Sequence, residues 1–306
     1  VTPAPAGREA ACSLVAGDLE AVFLPGQGML GASLKLAGEE LLGRLGNLES
    51  AAAKGSTAGL PLLYPWANRL AAPRYQAAGR AVVLDPRSAL LHLDENGLPI
   101  HGVPWAGLAW QVTAATESTL QATLDWKRDA WLAVFPYRHR VELSVALRPD
   151  ELRVETTVVA DAGDAVPVSF GFHPYFSLAG HARGRWRLQL PPMRRLVLDA
   201  QGIPTGAETP FGGLDAPLGT ESLDDGFLLA GQAAALSLTA PDRRLTLEFL
   251  SGYPCAQVFA PADKDYIALE PMTAPTNALI SGNRLPVVPP GGAFQASFRI
   301  QVERLP

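Results

Sequence analysis

Glu270 closes an apolar stretch holding Tyr266 and Ala268, then enters a proline-rich run, Ala268-Leu-Glu-Pro-Met-Thr-Ala-Pro-Thr-Asn277. His173 lies inside an aromatic run, Phe170-Gly-Phe-His-Pro-Tyr-Phe176, and His101 lies between two prolines in Pro99-Ile-His-Gly-Val-Pro104. Asn68 and Arg69 end the segment Tyr64-Pro-Trp-Ala-Asn-Arg69, whose proline and aromatics mark a loop at a strand end. Singly, each cluster has a plainer reading: a satisfied core histidine, or a surface glutamate. Together they supply a carboxylate, two imidazoles, a guanidinium and an amide among aromatic rings. A sugar pocket needs that mixture, because hydroxyls require fixed donors and acceptors while the C–H face of the ring packs on aromatics. A carboxylate and an imidazole also make an acid–base pair. Arg69 stays protonated, so its part is to hold oxygens.

Other motifs fail on context. Gly26-Gln-Gly-Met-Leu-Gly31 matches GxGxxG, but Leu30, Ala32, Leu34 and Leu36 follow with period two, so a strand stands where a phosphate-binding helix should start. The kinase signatures VAIK, HRD and DFG are missing, as is a GxSxG elbow. The histidines (His92, His101, His139, His173, His181) form no HExxH or close pair, and neither cysteine adjoins one, so no metal and no cofactor site is expected.

The elements that must position these residues read as strands. Alternation runs through Trp110, Val112 and Ala114; Leu120, Ala122, Leu124 and Trp126; Val141 to Leu147; Leu152, Val154, Thr156 and Val158; Leu245, Leu247 and Phe249; and Phe294 to Val302. Turn chemistry separates them at Asp94–Gly97, Arg148–Glu151, Asp161–Asp164, Gln201–Gly206 and Pro289–Gly292. With 29 Gly and 27 Pro, long helices have little room, and the best helical candidate is the short Glu39–Leu48, weakened by Gly43 and Gly46. Short strands without alternating helices predict an all-β antiparallel sandwich or barrel, formed as one domain over residues 1–306.

Composition sets the outer limits. Of 306 residues, 48% are hydrophobic and 18% charged, which excludes disorder as the main state. A net charge of −5 offers no basic face, so nucleic acid is not an expected partner. Cys12 and Cys255 read as two buried thiols in a reducing, cytoplasmic setting. Val1–Ala11 shows no leader pattern. The run Asn96–Thr116 lacks Asp, Glu, Lys and Arg but is broken by prolines and glycines, so no membrane span is expected. A monomer is the default.

In order and spacing, these segments resemble the aldose 1-epimerases, or galactose mutarotase-like proteins, across most of the chain. Phe23-Leu-Pro-Gly-Gln-Gly resembles the family's early glycine turn, and Pro65-Trp-Ala-Asn-Arg69 its asparagine–arginine segment. His101-Gly102 and Phe172-His-Pro-Tyr-Phe176 resemble its two histidine motifs. Leu223-Asp-Asp-Gly-Phe227 resembles its aspartate motif, Ala256-Gln-Val-Phe259 its glutamine strand, and Leu269-Glu-Pro-Met-Thr-Ala-Pro-Thr-Asn-Ala278 its glutamate segment. The resemblance implies a large antiparallel β supersandwich that interconverts the α and β anomers of a free hexose such as glucose or galactose. It implies Glu270 as general base and His173 as general acid; the chemistry of ring opening has such a pair take a proton from O1 and give one to O5 from opposite sides. Asn68, Arg69, His101, Asp224 and Gln257 would hold hydroxyls, with no metal or organic cofactor.

Asp224 matches the aspartate motif better than Asp225 by its spacing to Phe227, although either can face the sugar. Where some relatives carry an arginine, this chain has Trp105. The alternatives are a mutarotase for a hexose 6-phosphate or modified sugar, a carbohydrate-binding protein without catalysis, and a two-carboxylate glycosidase pairing Glu270 with Asp224 or Asp225.

Overall fold

Alternating apolar residues form strands when their buried face finds a partner, and here two large antiparallel sheets supply it. The structure, a computed structural model, describes residues 11–231 and 234–306; apart from Ala11, the segment read for a leader lies outside them. The first sheet has nine strands. In spatial order they are Gln111–Ala115, Thr119–Trp126, His139–Arg148, Glu151–Ala160, Ala293–Arg304, Arg243–Ser251, Ala235–Ala240, Arg187–Leu190 and Leu214–Pro217. The second has eight. Pro204–Phe211, Met193–Leu198, Leu223–Leu229, Cys255–Ala260, Ile267–Met272, Gly171–Phe172 and Leu62–Leu63 follow one another, and Tyr175–Phe176 also pairs with Ile267–Met272. A four-stranded sheet spans Cys12–Ala16, Leu19–Leu24, Leu30–Leu36 and Glu39–Glu40. The mostly antiparallel β fold predicted from alternation and turn chemistry is the one observed.

The two large sheets bury one shared core. Leu124, Trp126, Val141, Leu143, Val154, Leu247, Phe298 and Ile300 face inward from the first, and Phe172, Phe227, Val258, Ile267 and Leu269 from the second. Phe172 meets Phe298 edge to face, with centroids 5.1 Å apart. Alternation fails locally at two bulges. One between Val112 and Ala114 leaves Ala114 exposed, and Trp110 is buried just before its strand. The other, between Phe249 and Ser251, opposes Ser297, which is buried while Phe294 is only half-buried.

The helix expected at Glu39–Leu48 is not there. Glu39–Glu40 pairs with Lys35 and Leu36, and the Glu40 carboxylate accepts the N–H groups of Leu34 and Leu42, which keeps the chain extended. The helix forms one step later, over Leu48–Lys54, where Asn47 Oδ1 accepts the Ser50 N–H at 2.7 Å and Gly55 ends it in the left-handed region. Of the two thiols, Cys255 is buried and Cys12 is only half-buried. The glycine-rich segment is a single 3-10 turn, Pro25–Gln27, that leads into Leu30–Leu36. Among the described residues, no helix is long and apolar enough to cross a membrane.

Candidate active site

Sheet register places the first three residues. Gly226 pairs with Gln257, and Gln257 with Glu270, so these positions form one row across three adjacent strands. Ala256, Val258 and Ala260 face the main core. Gln257 therefore faces the opposite side of the sheet, together with Cys255 and Phe259. Asp224 stands two residues from Gly226 and shares its face. Gly226 has no side chain, so Gln257 Nε2 reaches across it and donates to Asp224 Oδ1 at 2.6 Å. Asp225 points to the other face and lies 3.6 Å from Arg195 Nε. Of the two aspartates, Asp224 is the one that lines the cleft.

His173 reaches the same row from the neighbouring strand. Gly171 pairs with Met272 and Tyr175 with Ala268, so His173 and Pro174 bridge the gap beside Glu270. Leu269 and Thr273 donate their N–H groups to Pro174 and Phe170 carbonyls on that side. The nitrogen of Pro271 falls between them, where the partner segment has left the ladder and no donor is required. Glu270-Pro271 can thus occupy a central strand. As a result His173 Nε2 lies 3.1 Å from Glu270 Oε1, and both side chains are nearly fully buried. The two are neighbours in this structure, not groups facing each other across the cleft, which corrects the expected opposite-sided arrangement.

Two left-handed residues place the second histidine. Asn68 (φ +58°) and His101 (φ +62°) bring their loops together, and Asn68 donates its backbone N–H to His101 Nδ1 at 3.2 Å. Because Nδ1 accepts, the proton of the neutral ring resides on Nε2. Gly102 (φ +68°) follows, and a Cβ there would stand 2.2 Å from the Tyr64 carbonyl oxygen. Only glycine allows the His101 loop to lie this close to the Asn68 loop. Arg69 is fixed by Asp94, which accepts from Nε at 2.7 Å, with Glu95 at 3.4 Å. Asn277, downstream of Glu270, ties the glutamate segment to this loop: its N–H donates to the Arg69 carbonyl, and its Oδ1 accepts from Ala71 N–H.

All seven residues singled out in the sequence thus line one cleft of about 250 Å³: Asn68, Arg69, His101, His173, Asp224, Gln257 and Glu270. Sequence reasoning missed Asp94, Tyr175, Thr57 and Arg44, which line it too. Tyr175 stacks on His173 (centroids 4.3 Å, 27°), and its hydroxyl contacts Thr57 Oγ1 at 2.6 Å and His173 Nε2 at 3.4 Å. The available signal was its position two residues after His173. Asp94 was legible only as the start of a turn. Trp105 is buried away from the cleft and donates to the Ser56 carbonyl.

Burial dominates the electrostatics. It pushes Glu270 well above the usual carboxylate range, and the nearby Asp224 charge adds to this. It pushes His173 well below the usual imidazole range, aided by His101 and Arg44. His101 falls to about 3, through burial first and then Arg69 and His92. Asp224 is raised by burial against the opposing pull of Gln257. The His173–Glu270 pair therefore favours a neutral state with one shared proton. Among the described residues, no three His, Cys, Asp or Glu side chains are grouped as metal ligands.

The chain resembles several known proteins over most of its length. It is 26% identical over 265 residues to the uncharacterized protein YphB of Escherichia coli K12, a match covering 79% of this chain and 83% of YphB. It shares its fold with a galactose mutarotase-like protein from Clostridium acetobutylicum (TM-score 0.82, 19% identity, 96% of this chain and 95% of the other). It does so too with a galactose 1-epimerase from Lactobacillus acidophilus (TM-score 0.77, 17% identity, 99% and 98%). The aldose 1-epimerase family model matches residues 18–301, and the chain belongs to that family.

Proposed function

We propose that this protein is a mutarotase that exchanges the anomers of a hexose by opening and closing its hemiacetal ring. The observation that carries the reading is the 3.1 Å contact between His173 Nε2 and Glu270 Oε1 at the cleft where the polar side chains of Asn68, Arg69, His101, Asp224 and Gln257 converge. O1 and O5 are both bonded to C1, so a neighbouring acid and base can serve the two at once. The shared proton passes from Glu270 to His173 across their contact, giving a carboxylate and an imidazolium. Glu270 Oε2, buried with no hydrogen-bond partner among the described residues, then takes the proton from O1. The C1–O5 bond breaks, C1=O1 forms, and the imidazolium proton goes to O5. The pair ends in the neutral state that burial favours. Rotation about C1–C2 turns the aldehyde face, and closure runs the same transfers in reverse. Every bond change is balanced by protons, so the reaction calls for no cofactor.

His101 Nε2–H and Arg69 act as donors to hydroxyls, and Asp224, held by Gln257, acts as an acceptor. A glycosidase reading would need two carboxylates on opposite sides of a bond. Here the near partner of Glu270 is an imidazole, and Asp224 is tied to Gln257.

Polarimetry of freshly dissolved α-glucose and α-galactose, with wild type and Glu270→Gln side by side, tests the proposal. Wild type should speed the drift to equilibrium, and Glu270→Gln should lose ~10²–10⁴-fold of that rate while keeping sugar affinity within a few-fold. A wild type that binds hexoses without speeding the drift would make this a binding protein. A fully active Glu270→Gln would reassign the base.

A further inference from the structure

The cleft holds two guanidinium groups in different electrostatic company. Asp94 and Glu95 match the charge of Arg69. Arg44 has no carboxylate partner among the described residues; its Nη1 donates to the Tyr175 hydroxyl at 3.0 Å. Its guanidinium carbon stands 5.0 Å from the Tyr175 ring centre and 5.6 Å from that of Tyr266. The two rings stand nearly perpendicular and hold the cation between them without using its donors, of which one is committed to Tyr175 among the described residues.

The two cations also serve different parts of the site. The charge of Arg44 acts on His173 and Tyr175, and that of Arg69 on Glu270, Asp224 and His101. Arg44 stands one tyrosine hydroxyl away from the imidazole, since Tyr175 Oη is 3.4 Å from His173 Nε2. In the ring-opening chemistry, that imidazole delivers its proton to O5. O5 is bonded to C5, and C5 carries C6. A substituent on C6 therefore leaves the ring beside the atom that His173 protonates, on the Arg44 flank. A bound sugar covers Arg44 and strips water from its donors. A neutral hydroxymethyl group returns a single uncharged acceptor, whereas an anionic group returns several charged ones.

We propose that Arg44 is a specificity-determining residue that binds an anionic group on C6 of the sugar, a phosphate or a carboxylate. The proposal rests on the mutarotase reading. It names a substrate class that the aldose 1-epimerase resemblance alone does not select.

The test measures anomer exchange by NMR for D-glucose, D-glucose 6-phosphate and D-glucuronate, with wild type, Arg44→Gln and Arg44→Lys. For at least one anionic sugar, wild-type kcat/KM should exceed that for glucose by ~10-fold or more. The anionic-to-glucose ratio should fall ~10-fold in Arg44→Gln and be partly kept in Arg44→Lys, which retains the charge but not the fork. A ratio is insensitive to a general loss of folded protein. The sugar whose ratio falls identifies the group, phosphate or carboxylate. Ratios that Arg44→Gln leaves within about twofold for both anionic sugars, or a wild type that prefers glucose, would overturn the assignment to Arg44 while leaving the mutarotase reading standing. A wild type that speeds none of the three would overturn both.

Discussion

His173 Nε2 and Glu270 Oε1 are 3.1 Å apart, while His173 Nδ1 and Glu270 Oε2 have no partner among the described residues. Each group is thus tied mainly to the other, with the Tyr175 ring and hydroxyl beside His173. Their burial disfavours both the imidazolium and the carboxylate, so proton transfer within the pair makes an ion pair whose cost is offset only by the contact between its two charges. In the proposed ring opening the pair returns to this neutral state after each opening and each closing.

His173→Asn and His101→Asn should differ in which kinetic constant they change. In the proposed mechanism His173 carries a proton to O5, so its loss should lower kcat ~10²–10⁴-fold. His101 is neutral, with its Nδ1 occupied by Asn68, and offers only a donor. Its loss should appear mainly in KM. Progress curves at several sugar concentrations separate the two, and a pure KM effect in His173→Asn would remove that residue from the acid role.

Activity should pass through a broad optimum with pH. Adding a second proton to the pair means charging His173, which burial holds well below its ordinary 6.5, so the acid limb of kcat/KM should lie below pH 6.5. Removing the shared proton means ionising Glu270, which burial holds well above its ordinary 4.5. The alkaline limb should therefore lie well above pH 4.5. A pH–rate profile with its acid limb at or above 6.5 would show that another group controls protonation.

Much of this site was legible because its residues sit in short motifs whose order is fixed by the chain. Glu270, Gln257 and Asp224 are also joined by register, and Asp224 alternates with Leu223, which packs against the core, and Asp225, which pairs with Arg195. What alternation could not tell was which aspartate the cleft receives, since that depends on which face of the sheet is covered. Arg44 carried no signal at all. It enters the cleft because Glu40 holds the chain extended up to Leu42, where helical spacing had suggested a turn of helix. The contact between His173 and Glu270 was equally hidden, for it arises where the Phe172–Tyr175 segment leaves the ladder opposite Pro271.

Asp224→Asn and Asp225→Asn should behave differently despite their adjacency. Asp224 accepts from Gln257 inside the cleft, whereas Asp225 lies beside Arg195 on the other face. If Asp224 accepts from a sugar hydroxyl as proposed, replacing it should cost ~10-fold or more in affinity. Replacing Asp225 should leave KM within about twofold, as expected of a partly exposed ion pair. Equal KM shifts in the two variants would mean that the cleft is not entered by Asp224 alone.

Stability should fall as pH drops below 6.5. In the folded chain, burial holds His101 near 3 and His139 near 4, whereas in the unfolded chain both take up protons below about 6.5. The unfolded state then binds more protons, so each histidine removes up to ~1.4 kcal/mol per pH unit until its folded value is reached. The stabilising contribution is fully present above pH 6.5 and is lost between there and about pH 3–4. Melting temperatures at pH 7.5 and pH 5 check this, and a Tm that holds or rises on acidification would contradict it.

Gly102→Ala should be more damaging than its size suggests. A Cβ at Gly102 would stand 2.2 Å from the Tyr64 carbonyl oxygen, and the residue also has φ +68°. Gly79 is the control, with φ +78° and open space around the same added atom. Gly79→Ala should cost about 1 kcal/mol, for backbone strain alone. Gly102→Ala should cost that and more, because the His101 loop must withdraw from Tyr64. Withdrawal takes His101 Nδ1 from the Asn68 N–H, so KM for the sugar should rise in the folded fraction. Denaturant melts paired with KM values separate strain from displacement. Equal destabilisation by the two substitutions, with KM unchanged, would show that the loops need not touch for the site to form.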